Sequence, residues 1–150
     1  MEVFRIVHRK RSSRLMASGY AARWNSNGMF VIYSAQNASL ACLENLVHRN
    51  GVGLDSDFML LTIAIEDSVS RLEINLENLP IGWSNATEKG HLLCRKIGDD
   101  WLKNQQSGLL TVPSAIIANE KNILINPNHK DFEKISITIV QPFAFDKRLR

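Results

Sequence analysis

Arg23-Trp24-Asn25-Ser26-Asn27-Gly28-Met29-Phe30-Val31-Ile32-Tyr33-Ser34, followed past Asn37 by Ser39-Leu40-Ala41-Cys42-Leu43-Glu44-Asn45-Leu46-Val47-His48, decides how this chain is read. Gly28 precedes the apolar run Met29 to Ile32, and polar Ser34 and Gln36 follow it. The pattern predicts a turn, a buried strand and a second turn. Asn37 or Ser39 then caps a helix, because either side-chain oxygen can accept the free amide protons of a first turn. Leu40, Leu43, Leu46 and Val47 recur at helical spacing and mark its apolar face. Glu44 falls at the edge of that face, beside Leu40 and Val47, where a carboxylate is costly unless it is paired or points into a cleft.

Outward from this unit, the chain reads as one domain over residues 1–150, long enough for a core of its own. Its 45% apolar and 22% charged residues are those of a globular protein. A net charge of +3 fits an anionic small ligand or an acidic partner, and is well short of a basic nucleic-acid stripe. Cys42 and Cys94 sit in apolar helical patterns without metal spacing and read as reduced thiols of a cytoplasmic protein. No signal peptide pattern or run of about 18 apolar residues is present, so no membrane partner is expected.

Val3 to Val7 predicts a first strand carrying Arg5, and the basic segment His8 to Arg14 is either a solvated turn or an anion-contacting loop. Phe58 to Ile65 predicts a buried strand. Ser70 to Leu76 alternates and predicts a half-buried one, with Leu72, Ile74 and Leu76 inward. Asn85-Ala86-Thr87-Glu88 resembles a capping box for a helix reaching about Lys103, with Leu93, Ile97 and Trp101 as its stripe and Gly90 and Gly98 as weak points. Leu109 to Ile117 is a further apolar run, in which Pro113 marks an edge or a bulge. Ile123 to Ile125 and Ile135 to Val140 complete the strands, and a basic tail from Gln141 carries Lys147, Arg148 and Arg150. The sum is an α+β domain of about seven strands and two main helices.

Candidate chemistry narrows by elimination. The four histidines have no metal-ligand spacing, and no phosphate-loop or dinucleotide glycine fingerprint exists, so no metal is expected. Arg23, Tyr33, Glu44 and Ser114 remain. A guanidinium fork grips phosphate oxygens, a tyrosine offers a flat face and a hydroxyl, and a carboxylate between apolar walls stabilises positive charge developing on a sugar. Those are the parts needed to hold a dinucleotide and break its glycosidic bond; taken singly, Arg23 reads equally as a surface residue, Tyr33 as a strand aromatic, Glu44 as a solvated helix residue and Ser114 as a bulge residue.

Arg23-Trp24, Val31-Ile32-Tyr33, Leu43 to His48, Pro113-Ser114-Ala115-Ile116 and Asn122 to Pro127 with His129 resemble the RES domain family, and the resemblance runs from Phe4-Arg5-Ile6 to the last strand. It implies a single compact α+β domain resembling the ADP-ribosyltransferase fold, with mixed sheets and a few helices. It also implies a toxin of a type II toxin–antitoxin pair that consumes NAD as substrate and is blocked by an antitoxin with an Xre-like helix-turn-helix domain. DNA contact is then expected only through that antitoxin. On the same resemblance Arg23, Tyr33, Glu44 and Ser114 take the family's site positions, with Glu44, Arg23 and Tyr33 catalytic and Arg23, Tyr33 and Ser114 binding NAD; Asn122 and Arg5 are second-tier NAD-binding candidates. The chain departs from the family pattern at Ala21-Ala22, where members usually carry Gly before Arg-Trp. A position needing positive φ there would be strained by Ala22. Two other readings compete. One is a ribonuclease toxin using His48 or His129 as acid or base. The other is a non-enzymatic relative that only binds its antitoxin.

Overall fold

Eight apolar or β-branched residues in a row, Phe58–Ile65, form the strand that the sheet is built around. The computed structural model describes residues 1–149, so Arg150 of the basic tail lies outside the described residues. Seven strands form one mixed sheet in the order β4-β5-β6-β2-β1-β3-β7. They are β1 (Glu2–His8), β2 (Ile32–Ala35), β3 (Phe58–Ile65), β4 (Arg71–Glu73), β5 (Leu109–Pro113), β6 (Lys121–Ile125) and β7 (Ile135–Phe143). Only β4 and β5 pair in parallel; the other pairs are antiparallel. Two helices, α1 (Ala38–His48) and α2 (Glu88–Lys103), complete the α+β domain.

Both helices cover one sheet face. Leu40 and Ala41 of α1 pack on Ile6, Ala35, Phe58 and Leu60, and Cys94, Trp101 and Leu102 of α2 pack on Leu110, Val112 and Leu124. The opposite face buries Val3, Ile32, Leu61, Ile63, Ile123 and Ile125. Each such side chain removed from water contributes about 1.5–3 kcal/mol. No helix among the described residues is long and apolar enough to cross a membrane.

Several expectations shift. The strand expected at Met29 to Ile32 begins only at Ile32 and runs to Ala35. Met29 and Phe30 are held in a loop instead, because the buried Asn25 amide donates to the carbonyls of Tyr20, Ser26 and Met29. Ser34, expected in a turn, lies buried in β2 and donates to the Ile123 carbonyl at 2.7 Å. Helix α1 is capped by Asn37, whose Oδ1 accepts from the Leu40 amide at 2.7 Å. Its buried residues are Leu40 and Ala41, whereas Leu43 and Val47 face solvent. The expected half-buried strand at Ser70 to Leu76 shrinks to β4, an edge strand with all three residues exposed, and Leu72 and Leu76 point outward. Thr87, not Asn85, caps α2.

Of the expected stripe, Trp101 is buried and Ile97 packs against the same cluster, whereas Leu93 is not among the buried residues of α2, which are Gly90, Cys94, Gly98, Asp99, Trp101 and Leu102. Gly90 and Gly98 are approach points rather than weak ones: a Cβ on Gly98 would lie 1.7 Å from the Trp24 carbonyl oxygen. The helix therefore lies against the backbone of Trp24.

The far end of the sheet is closed by a buried carboxylate. Asp131 Oδ2 accepts from the Ser70 amide at 2.9 Å and its hydroxyl at 2.7 Å, and Lys134 reaches Oδ1 at 3.3 Å. The two Ser70 donors, followed by Lys134, hold its carboxyl well below the usual range. A depressed carboxyl contributes stability above its unfolded value of about 4 and loses it as pH falls toward the folded one. Thermal unfolding is expected to show the wild type losing its advantage over Asp131→Asn below about pH 4, and a gap that persists into stronger acid would contradict this.

Candidate active site

Glu44 comes from the middle of α1, and Ser114 and Asn122 from the facing ends of β5 and β6, paired at Val112 with Asn122 and Pro113 with Lys121. The capped start of α1 sets its rotation, and the carboxylate reaches the strand ends. Glu44 Oε1 accepts from Asn122 Nδ2 at 2.6 Å and Ser114 Oγ at 2.9 Å. The Ser114 hydroxyl, fully buried, in turn accepts from the amides of Ile116 and Ile117 at 3.0 and 3.1 Å. Two backbone donors thus fix the serine, and the serine fixes the carboxylate. Oε2 takes no hydrogen bond among the described residues. The result is a half-buried anion with one oxygen held and the other free to meet a ligand hydroxyl.

Turning Glu44 inward explains why Leu43 and Val47 are exposed. With Ile117 they leave three apolar side chains uncovered on α1 and on the loop after Ser114.

Tyr33 is anchored differently. Its hydroxyl donates to Asn25 Oδ1 at 2.6 Å and accepts from the Trp24 amide at 3.1 Å. Burial pushes the phenol far above its ordinary range, so it stays neutral. The loop it holds is tied further by Asp99, which accepts from the Ser26 amide and hydroxyl, and by Arg95 Nε, which donates to the Ala22 carbonyl at 2.9 Å. Ala22 does not adopt positive φ, so the departure from glycine carries no backbone strain.

Arg23 projects from this loop toward the turn before α2. Nη1 donates to the carbonyls of Trp83 at 2.8 Å and Asn85 at 3.4 Å, and Nη2 to that of Ser84 at 3.1 Å. The guanidinium lies 5.9 Å from the Trp83 ring centroid. The structure therefore joins Glu44, Ser114 and Asn122 directly, while the recorded contacts of Arg23 and Tyr33 lie within the Trp24–Trp83 cluster.

Arg5 belongs to a third place. Strands β1 and β2 share a single paired position, Phe4 with Ala35, and beyond it Asn45 Nδ2 caps the Ile6 carbonyl at 3.1 Å. A cleft of about 460 Å³ lies here, lined by Arg5, Arg11, Arg14, Tyr20, His48 and Arg49 among others. Asn45 and His48 follow Glu44 on the same helix, so the cleft begins within a turn of the carboxylate. His129 is elsewhere and buried, its Nδ1 accepting from the Asp131 amide at 3.1 Å. Among the described residues no group of three or more His, Cys, Asp or Glu is placed to hold a metal ion.

Sequence reasoning missed Asn25, Asp99 and the cleft arginine Arg49. Asn25 sits directly after Arg-Trp, and no local pattern marks it: its role rests on a buried amide that donates to three carbonyls once the chain is folded.

Residues 2–146 match the RES domain. The chain is 38% identical over 156 aligned positions to Toxin Res of Yersinia enterocolitica serotype O:8 / biotype 1B, with 100% of both chains covered. It is 37% identical over 129 residues to the Prs ADP-ribosylating toxin of Sphingobium sp. (strain YBL2), covering 85% of this chain and 79% of that one. In structure it resembles a chain of the M. tuberculosis MbcT-MbcA toxin-antitoxin complex, with a TM-score of 0.73 and 15% identity, over 95% of this chain and 84% of that one. At that identity the likeness is one of fold.

Proposed function

The chain belongs to the RES domain family, and on that premise we propose that it is the toxin of a toxin–antitoxin pair that binds NAD and cleaves its nicotinamide–ribose bond. The observation that carries the reading is the fixed carboxylate of Glu44, with one oxygen held by Ser114 and Asn122. The naming of relatives as Toxin Res and as an ADP-ribosylating toxin supports it.

Chemically, the bond from ribose C1′ to the nicotinamide nitrogen breaks and its electron pair leaves with nicotinamide, which becomes neutral. Positive charge builds on C1′ and the ring oxygen until a nucleophile, water in the simplest case, bonds to C1′ and releases a proton. A neutral leaving group needs no strong general acid. A fixed anion beside the sugar is what lowers the barrier, and Glu44 supplies it. Its second oxygen orients a ribose hydroxyl or the incoming acceptor. Ser114 and Asn122 keep that geometry, and Ser114 also meets the nicotinamide or a phosphate. Tyr33 packs on the nicotinamide ribose or ring. Arg23 grips the diphosphate or the adjacent ribose through donors that carbonyls hold here, because an anion is the stronger acceptor for a guanidinium. Arg5 supplies a second cation. The antitoxin, carrying an Xre-like helix-turn-helix domain, seats on the exposed Leu43, Val47 and Ile117 and places a carboxylate-ended segment over the Arg23 region. The pair acts in the cytoplasm.

Arg23→Lys keeps the charge and loses the fork. Expected are a weakened hold on the Trp83 to Asn85 turn, costing about 1 kcal/mol, and a raised KM for NAD. A lysine variant with unchanged NAD turnover would make Arg23 purely structural. For the function itself, cells producing the chain without its antitoxin should lose NAD while their RNA stays intact. Degraded RNA with an undiminished NAD pool would favour a nuclease, with His48 in the basic cleft as its base.

A further inference from the structure

The cleft between β1 and β2 holds more positive charge than NAD requires. Arg5 lies on its floor, and Nη1 is out of contact with solvent and has no hydrogen-bond partner. A desolvated guanidinium nitrogen without an acceptor is costly, so this site is built for an acceptor that the chain does not supply. Arg11 and Arg14 line it from the segment after β1, and Arg49 from the C-terminal cap of α1. Among the described residues no Asp or Glu lines the cleft. The ion pairs among the described residues involve none of these four arginines; Asp57, which directly precedes β3, is taken by Arg9.

The crowding is felt by the groups themselves. Burial, and then the charge of Arg11, lower Arg5 to about 10, and the same two causes lower Arg49. His8 is lowered by burial and then by Arg49, Lys10 and Arg11. Tyr20 stands at the cleft with its side chain 74% exposed, and presents a ring face of the kind on which adenine stacks.

This step rests on the NAD reading above. There the diphosphate, with roughly two negative charges partly offset by the nicotinamide cation, is already matched by Arg23 and Arg5. Arg11 and Arg14 are left over, while Arg49 adds its charge from a fixed place, its Nε donating to Asn45 Oδ1 at 2.7 Å and its guanidinium 4.7 Å from the Phe58 ring centroid. A phosphate monoester adds about −1.5 to −2 charges at neutral pH and three acceptor oxygens. The 2′-phosphate of an adenosine ribose is such a group, next to the adenine, and arginine is the side chain that accommodates it in other dinucleotide sites. We infer that the cleft is a subsite for a phosphate monoester carried by the dinucleotide, and that the chain takes NADP in preference to NAD.

Calorimetric titration of the purified chain with NAD and with NADP, in low-salt buffer free of phosphate, tests this without relying on turnover. NADP is expected to bind at least about tenfold more tightly, the effect of one or two added charge-assisted hydrogen bonds. The NADP-to-NAD affinity ratio should fall toward one in the double variant Arg11→Gln, Arg14→Gln. Equal affinities in the wild type, or a ratio unchanged in the variant, would overturn the inference. Free phosphate shares the same chemistry, so a further titration of NAD is made in millimolar inorganic phosphate. Unaltered NAD affinity there supports the tethered monoester, and NAD binding raised to the level of NADP would assign the subsite to the free ion instead. Nicotinamide release in parallel reports separately on bond cleavage: tight NADP binding without release would sink the NAD-cleaving reading and leave the subsite standing.

Discussion

Glu44→Gln is expected to lower nicotinamide release about 100- to 1000-fold, the scale of removing one preorganised electrostatic group, in a protein that remains folded. The amide keeps the size of the side chain, and its oxygen can still accept from Asn122 and Ser114. What disappears is the negative charge facing the ribose while C1′ loses its bond to nicotinamide. Removing a half-buried carboxylate also removes a desolvation cost, so stability should stay within about 1 kcal/mol of the wild type. Turnover and thermal unfolding measured on the same preparation separate the outcomes. Retained turnover in the folded variant would take Glu44 out of the chemistry. Lost turnover with collapsed stability would make it a structural anchor for the ends of β5 and β6.

Gly98→Ala should produce the largest loss of stability of any single methyl addition in the chain, about 3 kcal/mol or more. The added carbon meets not a yielding side chain but the backbone carbonyl of Trp24, 1.7 Å away. Helix α2 must back off, or the loop from Ala22 to Ser26 must move. That loop is bound to α2 through Arg95 and Asp99 and to β2 through Tyr33, so any shift carries Arg23 with it. Both the unfolding temperature and NAD turnover should fall. Gly28→Ala is the comparison: its φ of +85° strains alanine, but its Cβ meets nothing within 4 Å, so a loss nearer 1 kcal/mol is expected. A Gly98→Ala variant as stable as the wild type would show that the contact between α2 and Trp24 is slack.

Local pattern was enough where burial is simple. Phe58 to Ile65 is apolar on both faces because both faces of β3 are covered, and the strand runs over those same residues. The end of α2 at Lys103 was legible in the sequence, although its cap is Thr87 rather than Asn85. Pattern failed where a polar contact outranked it. Asn25 turns Met29 and Phe30, good strand residues, into a loop. Helix α1 turns Glu44 toward Ser114 and Asn122, and Leu43 and Val47 are left in solvent. Gly98 looked like a defect because the backbone it admits, at Trp24, lies some 70 residues away in the chain, beyond any local window, whereas Gly90 admits the carbonyls of Gly82, Trp83 and Asn85 in the turn before its own helix.

The candidate site divides in the same way. Glu44 and Ser114 were singled out as residue types and Asn122 only as a second-tier candidate, and α1 over the ends of β5 and β6 brings the three together. The guanidinium of Arg23 was expected to wait for phosphate, and instead it clasps three carbonyls that no sequence pattern couples to it. The basic run from His8 to Arg14 read first as a solvated turn and second as an anion-contacting loop, and Arg11 and Arg14 line the cleft that holds Arg5.

Cleavage of NAD between nicotinamide and ribose by the purified chain is the claim on which the rest depends. Mass spectrometry of NAD after incubation with the protein tests it most directly. Free nicotinamide should appear in step with the loss of NAD, together with an ADP-ribosyl product whose mass identifies the acceptor. Intact NAD, or cleavage at the diphosphate to give two mononucleotides and no nicotinamide, would contradict the account.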